Sequence, residues 1–291
     1  MPNKRAIPTA RRRRLGKELR KYRNEAKLSL DHMAGLMGAK WDGPKVSRIE
    51  NATARIHGLD TTRFLAHCGV TDPEIVTEME ILARNAGKTG WWSTYDGIVP
   101  KPLEVLIDAE EEALVMRHYY ATVLPGLLQT GAYAREITTA TATRIPKERH
   151  PGIVDVRMGR QAVLTRPNNP PECMFVIHEA LLMQKFTPHP TVMREQLLRL
   201  IDVSELPHVN LQVMPLDAGP HPGAEGNLSI LKYPRPWPTL VSIEAGGESR
   251  QLEGSDAESE RFLKNFELIM AAALPADRSR DLIRHHMKGL K

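Results

Sequence analysis

The sequence predicts two domains of different class: an all-α N-terminal domain of five short helices, residues 1–86, and an α+β domain, residues 103–291. Three observations predict this. The first 86 residues hold short apolar-periodic segments, each with its own cap and stop, and nothing that alternates like a strand. Strand-like runs come late, at 172–178, 210–214, 227–233 and 239–244, the last three with hairpin-like separations. The charge is divided as well. Residues 1–60 carry fifteen Lys and Arg against six Asp and Glu, a net of +9, while the whole chain is +5, which leaves −4 for residues 61–291.

In the N-terminal part, Leu15, Leu19 and Tyr22 recur at i, i+4 and i+7 and predict a helix over 12–26. Arg11, Arg12, Arg13 and Arg14 place four charges at its start, either as a solvated run or as phosphate contacts. Ser29 caps a second helix with Leu30, Met33, Ala34 and Met37 on its inner face, and Gly38 stops it. Asp42 caps a third, with Gly43 and Pro44 in its first turn and Val46 and Ile49 facing inward. A fourth spans 60–67. A fifth opens at Thr71, which has capping-box spacing to Glu74, and carries Ile75, Met79 and Leu82.

Residues 87–102 form an aromatic junction with Trp91, Trp92 and Tyr95, unlike the polar composition of a flexible linker. Beyond it, helices are expected at 103–121, 126–140, 146–165, 191–203, 256–273 and 276–288, among the strands given above. Leu103, Leu106, Ile107, Leu114 and Val115 read as helical stripes serving a core or a dimer contact.

A basic module on a mildly acidic body points to a polyanion as the module's partner. Helix, helix, turn, helix is what places one short helix in the major groove of DNA, with the preceding helix bracing it. The third helix is the expected reader. Lys45, Ser47, Arg48 and Asn51 then lie on accessible faces. Lys and Arg can donate to guanine, Ser can meet a base or phosphate, and Asn can meet adenine or phosphate. Pro44 can touch a thymine methyl, and Lys40 and Trp41 lie in the turn, near the path of a phosphate.

The runs Leu19-Arg20-Lys21-Tyr22-Arg23, Leu28-Ser29-Leu30 and Lys45-Val46-Ser47-Arg48-Ile49-Glu50-Asn51 resemble the lambda-repressor/Cro (XRE) type of helix-turn-helix. Gly90-Trp91-Trp92, Leu124-Pro125-Gly126-Leu127-Leu128-Gln129-Thr130, Tyr133-Ala134-Arg135, Arg160-Gln161, Val192-Met193-Arg194-Glu195-Gln196-Leu197, Val209-Asn210-Leu211-Gln212-Val213-Met214-Pro215 and Ala218-Gly219-Pro220-His221-Pro222 are similar to the domain that follows it in actinobacterial WhiJ-like, antitoxin-like regulators. The resemblance covers roughly residues 11–275. It implies a sequence-specific transcriptional regulator of promoter or operator DNA, a homodimer, and a small companion protein encoded nearby. The alternative it leaves is an antitoxin-like interaction protein with DNA binding secondary. It also implies a structural salt bridge between Arg23 and Glu50. The chain departs from the pattern in two extra turn residues before Trp41, in Asp42-Gly43-Pro44 at the reader's start, and in Lys27 and Ala52 where the family often has Gly.

No metal or cofactor is expected. His178-Glu179 looks like half a zinc-protease motif, but position 182 is Leu, so a strand-end histidine is expected. Glu110, Glu111 and Glu112 read as a solvated helix face, and His285-His286 as exposed. Gly219, Gly223 and Gly226 lack phosphate-loop spacing. No nucleophile, base and acid set stands out, so the expectation is a protein that is not an enzyme. Cys68 and Cys173 read as buried thiols of a reducing cytoplasm. No run is long and apolar enough to span a bilayer, and no apolar run follows the basic residues of the first ten, so a cytoplasmic, nucleoid-associated location is expected.

Overall fold

A computed structural model of the chain describes residues 10–87, 90–95, 98, 101–142, 145–187, 189–245, 248–253 and 256–290. It divides into two units, Met1–Thr94 with Pro234–Trp237, and Tyr95–Tyr233 with Pro238–Lys291. Of the expected junction, residues 88–89, 96–97 and 99–100 lie outside the described residues, and Trp91–Tyr95 form a 3-10 turn.

The first unit holds α1 (Ala10–Glu25), α2 (Leu30–Met37), α3 (Gly43–Glu50), α4 (Gly58–His67) and α5 (Pro73–Asn85). Leu15, Leu19, Met33, Met37, Val46, Ile49, Phe64, Leu65, Met79 and Leu82 are buried, at least two from each helix. Burying such side chains is worth about 1.5–3 kcal/mol each relative to exposure, and this is what holds helices too short to be stable alone. Ser29 Oγ accepts from the His32 N–H at 3.1 Å and starts α2. The start of α5 differs from the expected capping box. Asp72 is the cap, its carboxylate accepting from the Glu74 N–H at 2.9 Å, with Pro73 in the first turn.

Helices α1 and α3 stop in the same way. The Leu28 N–H reaches back to the Arg23 carbonyl and the Lys27 N–H to Asn24; likewise Thr53 reaches Arg48 and Ala52 reaches Ile49. This closure needs a left-handed residue, usually Gly, after the last turn. Here Lys27 (φ 56°) and Ala52 (φ 61°) take it, at a cost of about 1–2 kcal/mol each. Burial of the Ala52 methyl offsets part of that.

In the second unit, α6 (Lys101–Glu112) leads to β1 (Val115–Tyr120), α7 (Gly131–Thr141), α8 (His150–Arg160), β2 (Glu172–His178), α9 (Thr191–Ser204), β3 (Val209–Met214), β4 (Asn227–Lys232), β5 (Leu240–Ala245), β6 (Glu248–Glu253), α10 (Asp256–Ala272) and α11 (Ala276–Lys288). The strands form one mixed sheet in the order β3-β2-β1-β4-β5-β6. The pairs β1–β2 and β2–β3 are parallel, with Val115 opposite Glu172 and Cys173 opposite Val209, and the remaining pairs are antiparallel. Of the three late strands expected from hairpin-like spacing, β4 and β5 do pair as a hairpin, but β3 does not pair with β4: it lies at the far edge of a parallel half that the spacing does not anticipate. Alternation along β2 sends Cys173, Phe175 and Ile177 into a core with Leu197 and Leu200 of α9 and Ile283 of α11. Val176 points the other way, into a core with Phe262, Phe266 and Ile269 of α10.

Three expected helices are shorter than their periodicity suggests. The one expected at 103–121 ends at Glu112, and the run Val115 to Tyr120, rich in aromatics, becomes the central strand β1. Leu114 and Val115 are accordingly not part of a helical stripe. The one at 126–140 opens as a 3-10 turn, Gly126–Leu128, before Thr130 caps α7. The one at 146–165 is α8 with a 3-10 turn at each end, Lys147–Arg149 and Gln161–Thr165. Strand β6 was not expected, because Glu-Ser-Arg-Gln-Leu-Glu carries no apolar alternation.

Three of the runs behind the resemblance, those holding Gln129, Gln161 and Gln196, converge on one loop. Gln129 Nε2 donates to the Leu124 carbonyl at 2.7 Å, and Gln161 Nε2 donates to the Gly126 and Gln129 carbonyls at 3.0 and 2.6 Å. Gln196 Nε2 donates to the Leu128 carbonyl at 2.7 Å, and the Thr130 N–H donates to Gln196 Oε1 at 2.7 Å. These side chains satisfy the backbone of a buried turn that no strand or helix could satisfy. Nearby, Glu110 is not on a solvated face: it is buried and takes Arg160 in a two-fold pair, Nε–Oε2 2.8 Å and Nη2–Oε1 2.6 Å.

Candidate nucleic-acid interface

Helix α3 is held from behind by α1. Glu50, at the end of α3, is buried and receives Arg23 through two bonds, Nε–Oε1 2.6 Å and Nη2–Oε2 2.9 Å. Arg23 also donates from Nη1 to the Leu28 carbonyl at 2.7 Å, so one guanidinium ties the end of α1, the following loop and the end of α3. The hydrogen bond to Glu50, opposed by burial, raises the Arg23 pKa, so the group stays charged. Arg20 adds Nε–Glu50 Oε2 at 3.2 Å and Nη2–Asn51 Oδ1 at 2.6 Å. Gly16 permits this crossing: a Cβ there would lie 2.5 Å from the Glu50 carbonyl oxygen and 2.7 Å from that of Ile49. At the other end of α3, a Cβ on Gly43 would meet the Asp31 carboxylate of α2.

The start of α3 is set by Asp42, whose carboxylate accepts from the Lys45 N–H. Val46 and Ile49 are buried, which turns Pro44 and Arg48 outward as exposed residues and leaves Lys45 and Ser47 half-exposed. Arg48 Nη2 lies 3.8 Å from Asp42 Oδ1, too far for a hydrogen bond. Lys45 is folded back over the turn. Its Nζ sits 4.2 Å from the centre of the Trp41 ring and donates to the Lys40 carbonyl at 3.1 Å. Lys40 is exposed and Trp41 half-exposed.

Asn51 is the C-cap of α3 rather than a residue of its last turn. Its Nδ2 donates to the Ser47 carbonyl at 2.9 Å and its Oδ1 accepts from Arg20. Both ends of the amide are thus occupied within the protein, which leaves it poorly placed for two bonds to an adenine. The structure therefore brings Arg20, Arg23, Glu50, Ser47 and Asn51 into one network and Lys40, Trp41 and Lys45 into another. Pro44 and Arg48 are the exposed members of the reader. Arg20 was not singled out from sequence; its position three residues before Arg23, on the face of α1 turned to α3, is the signal that marks it. Of the four arginines at the start of α1, Arg12 is buried and Arg13 is exposed, so the run is neither a uniformly solvated face nor a uniform phosphate contact.

Elsewhere, His178 ends β2 and caps the turn after it. His286 is half-buried, not exposed, with Nε2 2.9 Å from Glu179 Oε1. Cys173 is buried and Cys68 half-buried, and both are free thiols. Among the described residues, no His, Cys, Asp and Glu group is placed to hold a metal ion, and no helix is long and apolar enough to cross a membrane.

The fold and bracing of the first unit define a helix-turn-helix domain, and residues 14–76 match the family described by that name, which marks a DNA-binding regulator in general. Residues 103–285 match the family described as a domain of unknown function, DUF5753, and the chain belongs to that family. No curated protein and no solved structure matches it.

Proposed function

We propose that this chain is a sequence-specific transcriptional regulator that reads operator DNA with α3, and that it is not an enzyme. The observation that carries the reading is the reader itself: a short helix anchored by buried Val46, Ile49 and the Arg23–Glu50 pair, with Pro44 exposed in its first turn and Arg48 exposed in its last. The N-terminal residues of such a helix meet base edges, and a braced helix meets them at one angle. The XRE type, the WhiJ-like and antitoxin-like placing, the homodimer, the small companion protein and the cytoplasmic location rest on the resemblance in the sequence. In this reading the second unit serves dimerisation, partner binding or ligand sensing.

The test starts with selection of bound sites from a random duplex pool by the full chain, followed by salt-titrated gel shifts. Arg48→Ala is expected to cost about 1–3 kcal/mol at the selected site and to relax preference at one base pair. Arg13→Ala is expected to weaken all sequences alike and to lower the salt slope by about one. Unchanged affinity in both variants, or no enriched site, overturns the reading.

A further inference from the structure

A recess of about 310 Å3 opens in the first unit, lined from α1, from the segment joining α3 to α4, and from the end of α5. Leu15 and Ile49 contribute an apolar part, and Arg12, Arg55, His57 and Arg84 supply three guanidiniums and an imidazole. Among the described residues, none that lines it is acidic. Glu80 meets Arg84 from the side, at 2.5 Å from Nη2. Arg12 is 4% exposed, and burial together with the charge of Arg55 lowers its pKa. Glu80 offsets the charge of Arg84, whereas Arg55 acts on the buried Arg12 as a like charge beside an apolar surface, which favours an anion in the recess.

The size is at the lower end of small-molecule sites, about 300–1,000 Å3. A duplex fits the recess poorly. DNA phosphates lie on a convex surface and reach exposed side chains, whereas Arg12 is buried and the apolar part has nothing to meet in a phosphodiester. We propose that this recess binds a small amphiphilic anion, a carboxylate or phosphate monoester carrying an apolar body about the size of an aromatic ring. The guanidiniums take the anionic group and Leu15 and Ile49 take the body. An occupant joins the end of α5 to Ile49 of α3 and so bears on the reader. That consequence rests on the DNA-binding reading; the binding itself does not.

The experiment is calorimetric titration of the full chain, without DNA, with phenyl phosphate, benzoate, inorganic phosphate and benzyl alcohol. The variants are Arg55→Gln and Arg55→Lys, chosen because Arg55 is exposed and outside the core. Phenyl phosphate or benzoate is expected to bind one to one, more tightly than inorganic phosphate or benzyl alcohol. Arg55→Gln is expected to weaken it at least tenfold, with partial rescue by Arg55→Lys. Absence of binding by both aromatic anions at millimolar concentration overturns the proposal, as does equal binding of inorganic phosphate or affinity unchanged by Arg55→Gln. Because no DNA is present in the titration, its failure leaves the DNA-binding reading standing, and the converse holds.

Discussion

Replacing Glu50 by Gln removes one charge from the contact that sets the angle of α3. The side chain of Glu50 is 2% exposed and that of Arg23 10%, while that of Arg20 is 44% exposed. Breaking a buried pair from one side leaves the other charge uncompensated and costs about 3–5 kcal/mol. Arg23 keeps its bond to the Leu28 carbonyl, which places Glu50→Gln toward the lower end. At about 1.36 kcal/mol per decade, ~3 kcal/mol is a change of about a hundredfold in the opening equilibrium. Hydrogen exchange measured by mass spectrometry on peptides from α1 and α3 of the full chain reads this directly. The expectation is about a hundredfold loss of protection in Glu50→Gln and a similar loss in Arg23→Ala. Arg20→Ala is expected to change protection by no more than about fivefold, because an exposed pair is worth about 0–1 kcal/mol. The double variant Arg23→Met, Glu50→Leu is expected to recover most of the loss, since two apolar side chains need no partner. A change under threefold in Glu50→Gln, or an equal effect of Arg20→Ala and Arg23→Ala, would refute the argument from burial.

Two further outcomes are expected. Gly16→Ala, which in an ordinary helix interior stabilises by about 0.5–1 kcal/mol, is expected here to destabilise by about 1–2 kcal/mol in urea unfolding, because the new methyl meets carbonyl oxygens of α3 that cannot swing aside. His118 is fully buried, stacked 5.1 Å from Phe175 with Nδ1 2.9 Å from Ser229 Oγ; burial, and then the Arg160 charge, pull its pKa down to about 3. Below about pH 6.5 the unfolded chain takes up a proton at this position and the folded chain does not. This contribution to stability is therefore fully present above that pH and is lost progressively down to about pH 3, on the order of 5 kcal/mol in all. Denaturant unfolding followed from pH 7 to pH 4 is expected to show a flatter profile in His118→Gln; identical profiles would remove His118 from the account.

The first unit was legible because its signals are local. Ser29, Gly38 and Asp42 act within a few residues of where they stand, and Val46 and Ile49 fall on the inner face by helical spacing alone. The occupancy of the candidate site was not legible in the same way. Lys45 and Asn51 look equivalent to Arg48 on a helical wheel, yet Trp41 and Arg20 engage them, and such engagement depends on where a turn and another helix bring their side chains. In the second unit β1 was hidden because a strand buried on both faces loses the alternation that marks a half-exposed one. Glu110 was misread because its partner, Arg160, lies on a different helix. Lys27 and Ala52 show the reverse: a departure from glycine that sequence could name but whose meaning, a left-handed closure borne by an L-residue, needs the backbone.

The mixed sheet also sets a tempo. In the first unit α1, α2 and α3 meet after short loops, the kind of local contact that forms in microseconds to milliseconds. In the second, β1 must wait for β2, beyond α7 and α8, and β2 for β3, beyond α9, before any parallel hydrogen bond forms. Loop closure over such distances slows folding, and synthesis delivers the N-terminal unit first. A nascent chain of this protein thus acquires its reader while the strands of its second core are still open. The half-made chain is exposed through the apolar runs of β1 to β3, which makes the parallel half of the sheet the part of the molecule most dependent on dilute, assisted folding.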